Sequence, residues 1–245
     1  MKKILLVVIM SIGFGCILSV NAQEDSRFTF GVKTGVNLSN SSLSIADPRV
    51  GFNIGGTVDY ELSKGFFLSS GLEFTTKGAK FSERYFVTEI SESSNIVIGD
   101  KESNFNLMYL QVPLTIGYKI PLAKSLSLNL NAGGYAAYGI TSRNKISLTT
   151  PIETDGYLYT SHNEYKSTGY DKTGLDRWDF GLLGGIGLQY KKIVLNVNYE
   201  FGLRDLQKGP TSYVVTYGQY GSPTGTMNND KWKTRNLSFS VGYKF

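Results

Sequence analysis

The sequence predicts an all-β fold, an eight-stranded antiparallel up-and-down β-barrel, and three observations lead to this prediction. Apolar and polar residues alternate with a period of two over eight stretches. The connections between these stretches are alternately long and short. The polar residues are mainly Gly, Ser, Asn and Thr, whereas the apolar ones are bulky. Because eight strands enclose a narrow interior, we expect the small polar side chains inside and the bulky apolar ones outside.

The clearest alternation lies between Met108 and Ile140, where two runs are joined by a turn at residues 121–124. Soluble strands usually have about 5 to 6 residues, whereas a tilted strand needs roughly 9 to 11 to cross a bilayer. Both runs have the greater length, which predicts a transmembrane hairpin. A soluble barrel of the lipocalin type would also have eight antiparallel strands, but it would turn its apolar side chains inward.

The other strands follow the same pattern along the chain. The predicted strands are Phe28 to about Leu38, Val50 to Leu62, Phe66 to about Lys77, Met108 to Lys119, Leu126 to Ile140, Trp178 to Tyr190, Ile193 to Arg204, and about Lys233 to Phe245. Polar stretches without alternation separate them at about 39–49, 78–104, 141–177 and 205–231. Short periplasmic turns opposite long extracellular loops are typical of outer-membrane barrels. Aromatic residues cluster near both ends of the strands, as two bilayer interfaces would select.

The first residues have the pattern of a secretory signal peptide. Lys2 and Lys3 precede an apolar run over residues 4–20, and Ala22 stands where a signal peptidase would cut. We therefore expect residues 1–22 to be removed and residues 23–245 to form an exported barrel domain. Cys16 suggests a lipoprotein as an alternative, but the residues before it make a poor lipobox.

Composition excludes several classes of function. Cys16 is the only cysteine, so the mature chain has no disulfides or thiolate chemistry. The net charge is +5 with Lys2 and Lys3 included, which is too small and too dispersed to predict nucleic-acid binding. One histidine excludes a His-rich zinc site, and we predict no metal and no cofactor. Two groups lack the spacing of a calcium loop and are interpreted as solvated turns: Asp171, Asp176 and Asp179, and Asn228, Asn229 and Asp230.

Three segments resemble PorT-like outer-membrane β-barrel proteins. They are residues 30–38 (FGVKTGVNL), residues 109–114 (YLQVPL) and residues 240–245 (SVGYKF). The resemblance implies an eight-stranded barrel in a Gram-negative outer membrane. It also implies that Phe245 belongs to the signal read by the barrel-assembly machinery. The family has no common catalytic residues, and its best-known members take part in protein secretion.

Inward-facing charges form the candidate site. They are Lys33, Asp59, Glu61, Glu73, Lys119, Glu200, Arg204 and Lys244. Because an unpaired ion in a narrow lumen costs several kcal/mol, we expect these side chains to pair as a structural plug. A gated ion path or a proton relay is the alternative.

Two features of the long loops suggest chemistry. Tyr157, Tyr159, Tyr165 and Tyr170 stand among Ser, Thr, Gly and Asn, a mixture that suits adaptable contacts but also suits strands that continue above the membrane. His162 beside Ser161 is the one place where a Ser-His-Asp arrangement is conceivable, and coincidence explains it better.

We therefore predict a non-enzymatic outer-membrane barrel with a closed lumen, acting through extracellular loops in binding, adhesion or a membrane complex. A narrow porin, an accessory component of protein secretion, and a lipid-modifying enzyme or protease are the alternatives. The expected partners are outer-membrane lipid, the assembly machinery and a protein bound outside the cell or within a membrane complex, but no nucleic acid.

Overall fold

The computed structural model describes residues 27–43, 45–88, 96–154, 157–208 and 231–245. The strands are β1 (Phe28–Ser41), β2 (Ala46–Asp47), β3 (Arg49–Ser63), β4 (Phe66–Thr88), β5 (Ile96–Ala123), β6 (Leu126–Thr154), β7 (Tyr157–Thr168), β8 (Trp178–Tyr190), β9 (Ile193–Gly202) and β10 (Thr234–Lys244). A single 3-10 turn, Tyr170–Lys172, lies between β7 and β8. In the described part of the chain no helix is long and apolar enough to cross a membrane. The predicted signal peptide, residues 1–22, lies outside the described residues.

Eight of these strands form a closed antiparallel ring. Its order is β1, β3, β4, β5, β6, β8, β9 and β10, and β10 pairs back to β1. The remaining two strands are additions to this ring. β2 pairs with β4, and β7 pairs with residues 143–154 of β6, beyond the part of β6 that pairs with β8. The predicted fold class, an eight-stranded antiparallel barrel, is confirmed.

Side chains alternate between the two faces of the wall as predicted. Leu114 and Leu182 point outward and are each 56% exposed, whereas Asn37 and Gln111 point inward and are fully buried. The bulky apolar residues therefore cover the outer wall and the polar ones fill the lumen, which is the reverse of a water-soluble protein.

Short turns join the strands at one end of the ring. Lys64 and Gly65 connect β3 to β4 with φ angles of 53° and 86°. Left-handed conformations at both central residues match the twist of a two-residue hairpin. Lys191 takes the same conformation, with φ 52°, in the turn between β8 and β9.

At the opposite end the strands are longer than predicted. β4 extends to Thr88 instead of about Lys77, β5 begins at Ile96, and β6 continues to Thr154. β7 occupies part of a stretch without regular alternation in its sequence. Beyond the bilayer water can wet both faces of a sheet, so a strand there needs no alternation of polarity. Hydropathy consequently marks where the membrane ends and not where the strands end.

Candidate functional site

An ion cluster of three buried side chains crosses the middle of the lumen. Lys77 on β4 places its Nζ 2.7 Å from Oε2 of Glu200 on β9 and 3.5 Å from Oδ2 of Asp179 on β8. The side chains of Lys77 and Asp179 are fully buried, and that of Glu200 is 5% exposed. Because Lys77 approaches from the wall opposite its partners, the cluster ties distant strands together. We call these three residues the lumen ion cluster.

Neutral side chains fix the two carboxylates of the lumen ion cluster. Gln111 and Asn236 donate to Glu200 through their side-chain amides, at 2.7 and 3.2 Å. Thr234 and Tyr135 donate their hydroxyls to Asp179 Oδ2, at 2.8 and 3.2 Å. The Lys77 ammonium also lies 4.0 Å from the centre of the Tyr135 ring. A charge held by several hydrogen bonds keeps its position, so the lumen ion cluster is a fixed obstruction.

An apolar cluster lies on the extracellular side of this obstruction. Phe81, Phe105 and Trp232 meet edge to face, with ring centres 5.1 to 5.8 Å apart. The segment between β7 and β8 folds inward and buries Tyr170 against Tyr109, with ring centres 5.9 Å apart. The remaining members are Ala79, Leu107, Tyr135, Ala137, Leu175, Leu206 and Leu183, and the last of these extends to the periplasmic side of the lumen ion cluster. This outer apolar cluster seals the lumen where a purely polar filling was expected.

Open space lies in the periplasmic half of the lumen. A cavity of about 90 Å³ is lined by Lys33, Asp59, Asn131 and Lys244, among others. Since a water molecule occupies about 30 Å³ in the liquid, the cavity has room for a few waters and not for a larger solute. Among the described residues, the lumen ion cluster and the outer apolar cluster occupy the lumen beyond this cavity.

Several sequence-predicted site residues are brought together in pairs. Lys33 lies 2.8 Å from Glu73, and Lys244 lies 2.6 Å from Asp59, in each case between ammonium nitrogen and carboxylate oxygen. Glu200 belongs to the lumen ion cluster. Glu61 and Lys119 are exposed at the periplasmic mouth and form no ion pair among the described residues. Phe245 donates its backbone N–H to the carbonyl of Phe30.

The placement of Arg204 in the lumen was wrong. Arg204 follows the end of β9, and its guanidinium lies over the ring of Phe180, which faces outward, 5.8 Å from the ring centre. Its carboxylate partner is Asp176 in the segment before β8. Counting every second residue along β9 would place residue 204 on the inner face. The strand ends at Gly202, however, so the alternation does not extend to Arg204.

Sequence reasoning missed two of the three members of the lumen ion cluster. Lys77 stands at the end of the third predicted strand and is absent from the predicted charge network. Asp179 was interpreted as part of a solvated turn, which is wrong because the side chain is fully buried. A signal was present, since Asp179 stands between the outward-facing Trp178 and Phe180 and alternation turns it inward.

The second candidate surface is the sheet that β4, β5, β6 and β7 form beyond the ring. We call residues 79–88, 99–107, 142–154 and 157–168 the extracellular sheet. One of its faces carries Tyr157, Tyr159 and Tyr165, which are 70%, 57% and 57% exposed. These three tyrosines lie on a strand that continues above the membrane, whereas Tyr170 lies in the 3-10 turn.

The opposite face of the extracellular sheet carries charges and His162. Glu164 lies 2.6 Å from both Lys145 and Lys166. Hydrogen bonds from these two ammonium groups lower the pKa of Glu164 to about 2. His162 contacts Thr149, with 2.9 Å between Nδ1 and Oγ1, while neighbouring Ser161 points to the other face. The described residues therefore assemble no Ser-His-Asp arrangement around His162, and they contain no group of three or more potential metal ligands.

Comparison with known proteins agrees with this architecture. A family model described as outer membrane protein beta-barrel domain matches residues 21–208. The chain belongs to this family. It is therefore an integral outer-membrane β-barrel, with its short turns in the periplasm and the extracellular sheet outside the cell. The narrower PorT-like assignment goes beyond what this match shows. No curated protein is significantly similar in sequence.

Solved outer-membrane barrels are similar at low identity. Ail, the attachment invasion locus protein of Yersinia pestis, is 14% identical, with 90% of this chain and 100% of that chain covered and a TM-score of 0.34. Neisserial surface protein A is 14% identical, with coverages of 88% and 97% and a TM-score of 0.35. The outer membrane protease OmpT of Escherichia coli is 11% identical, with coverages of 89% and 95% and a TM-score of 0.30.

Proposed function

We propose that this protein is a non-catalytic binding protein of the outer membrane that holds an extracellular partner on the tyrosine-bearing face of its extracellular sheet. The observation that carries the proposal is the combination of a filled lumen with an exposed sheet whose strands are paired by hydrogen bonds. A barrel that transports nothing through its centre is suited to serve as a membrane anchor for the surface it displays.

The tyrosine-bearing face has the chemistry of a contact surface. Tyr157, Tyr159 and Tyr165 are spaced along one strand, with Ser161 and Asn163 between them on the same face. Tyrosine supplies a large contact area at a small cost in side-chain entropy, and Ser and Asn supply adaptable hydrogen bonds. Burial of three exposed rings is a sufficient source of affinity for a protein partner.

The narrow-porin alternative conflicts with the contents of the lumen. Ions would have to pass the outer apolar cluster and the lumen ion cluster, neither of which leaves an opening among the described residues. We expect the purified protein in planar bilayers to give no steady single-channel current. A steady current from the wild type would favour the porin function over the binding function.

The binding function is tested by site-specific crosslinking in intact cells. A photoreactive amino acid replaces Tyr159 or Tyr165 on the proposed contact face, and His162 or Glu164 on the opposite face. We expect a discrete adduct from the first pair that the second pair does not give. Equal yields from both faces, or no adduct from either, would contradict the proposal.

Affinity measurements then test the role of the rings. With the crosslinked partner purified and the barrel in nanodiscs, Tyr157→Ser, Tyr159→Ser and Tyr165→Ser together should weaken binding at least about tenfold, as expected when central aromatic contacts are lost. The control is Thr160→Ala with His162→Ala on the opposite face of the same strand, for which we expect a change of less than about twofold.

A further inference from the structure

A pair of lysines lies in a turn at the periplasmic rim of the barrel. Lys191 and Lys192 form the periplasmic turn between β8 and β9, and they take part in no ion pair among the described residues. The ammonium of Lys191 lies 5.6 Å from the ring centre of Tyr190, and that of Lys192 lies 5.9 Å from the ring centre of Tyr243. Both rings point outward, which brings the two ammonium groups to the outer rim of the periplasmic mouth, whose lining they share with Glu61 and Lys119.

The register places these two rings in one row of the wall. Tyr190 pairs with Ile193, and Ile193 pairs with Tyr243. Tyrosine rings at this height mark the bilayer interface, where lipid headgroups meet the acyl chains. The two ammonium groups therefore lie at the depth of the phosphates in the periplasmic leaflet.

An open apolar groove of about 970 Å³ begins directly above this row. Its next row toward the membrane centre contains Leu188, Leu195 and Val241, which pair in that order across β8, β9 and β10. The row beyond contains Ile186, Val197 and Phe239. The groove thus runs from the row next to the tyrosines toward the middle of the bilayer, along the path of an acyl chain.

We propose that Lys191, Lys192 and this groove form a binding site for one anionic phospholipid of the periplasmic leaflet. The phosphate lies against the two ammonium groups between Tyr190 and Tyr243, and an acyl chain fills the groove. Lysine suits a phosphate because it acts as a compact point charge with three donors. Unpaired positive charge selects an anionic headgroup over a zwitterionic one, while the groove selects a lipid over a free phosphate.

The experiment measures lipids that remain bound when the full-length barrel is released from nanodiscs in a native mass spectrometer. Nanodiscs contain equal amounts of phosphatidylglycerol and phosphatidylethanolamine. We expect the wild type to retain one phosphatidylglycerol in preference to phosphatidylethanolamine. Equal retention of the two lipids would overturn the proposal.

The decisive variant changes the two lysines without disturbing the turn. Lys191→Asn keeps a residue that tolerates a positive φ, and it is combined with Lys192→Gln. Each lysine beside an anionic lipid is worth about fivefold in affinity, so retention should weaken by about 25-fold. The matched control is Lys64→Asn with Lys124→Gln, because Lys64 has φ 53° and Lys191 has φ 52°. Unchanged retention in the decisive variant, or equal loss in the control, would overturn the proposal.

A second variant tests the groove independently of charge. Val241→Phe adds a ring at its centre on a lipid-facing position, where added apolar volume leaves the lumen undisturbed. We expect loss of the retained phosphatidylglycerol although both lysines are present.

Two controls exclude other occupants of the site. Glycerol 3-phosphate added in excess should leave lipid retention unchanged, and displacement of the lipid by it would show a free-phosphate site instead. A Leu195→Cys variant that crosslinks two copies in the membrane at high yield would show a second copy as the occupant and overturn the lipid site.

Discussion

Removal of the positive charge from the lumen ion cluster tests how the barrel is closed. In Lys77→Met the carboxylates of Glu200 and Asp179 lose the ammonium that lies 2.7 and 3.5 Å from them. Neither carboxylate can reach bulk water, because their side chains are 5% and 0% exposed. Loss of one partner of a buried ion pair costs about 3 to 5 kcal/mol, so we expect the free energy of unfolding to fall by that amount.

The assay is equilibrium unfolding by urea in phospholipid vesicles, followed by the combined fluorescence of Trp178 on the outer wall and Trp232 in the outer apolar cluster. Lys33→Met is the matched control, because its single pair with Glu73 is partly hydrated and the Lys33 side chain is 17% exposed. For this control we expect a loss of about 1 to 2 kcal/mol. Neutralising all three members, by Lys77→Met with Asp179→Asn and Glu200→Gln, should restore most of the lost stability. If Lys77→Met cost no more than Lys33→Met, the cluster would not be the buried, unhydrated site described above.

Three further predictions concern other parts of the molecule. Trp232→Ala removes the ring that contacts Phe81 and Phe105, and urea unfolding should show a loss of about 3 to 5 kcal/mol; a loss below about 1 kcal/mol would mean that the outer apolar cluster is loosely packed. Gly139→Val directs a side chain at Tyr170, since a Cβ at Gly139 would lie 2.2 Å from that ring. Amide hydrogen exchange in residues 169–177 should therefore accelerate, whereas Gly184→Val, whose Cβ would be 3.8 Å from its nearest neighbour, should leave it unchanged. Glu164 should titrate in a carbon-detected NMR experiment with a midpoint near 2, compared with its ordinary value of 4.5, and Lys145→Gln with Lys166→Gln should return the midpoint towards that value. Because the folded pKa is depressed, the contribution of this carboxylate to β6–β7 pairing is complete above about 4.5 and disappears as the pH falls towards 2.

The wall of the barrel could be predicted from the sequence because the bilayer imposes a strict alternation on it. Leu110, Val112 and Leu114 face lipid, and Gln111 and Thr115 face the lumen, in agreement with their parity. Beyond the membrane this alternation is no longer required. The sequence therefore does not predict where the strands end outside the bilayer. β7 lacks a strong pattern because both of its faces are largely exposed to water.

The odd or even position of a residue along a strand predicts whether its side chain faces lipid or the lumen. It does not predict which side chain of another strand lies at the same level along the barrel axis. Lys33 and Glu73 meet because they lie on neighbouring parts of the wall joined by β3. Lys77 and Glu200 meet across the lumen, and that contact depends on the stagger of the strands around the whole ring. Contacts made by the segments between strands are harder still to predict from the sequence. Tyr170 reaches Tyr109 because residues 169–177 fold inward, for which the local sequence has no periodic signal.

The pairing of β1 with β10 has a consequence for biogenesis. These strands are the first and last of the ring, and they are in register from Gly31 opposite Lys244 to Ser41 opposite Thr234. Until that seam forms, the nascent sheet exposes two unsatisfied edges, which invite aggregation with other chains. Closure also requires contacts between the most distant parts of the sequence, which form slowly. We therefore expect the newly exported polypeptide to depend on periplasmic chaperones for the whole interval before its final strand is inserted.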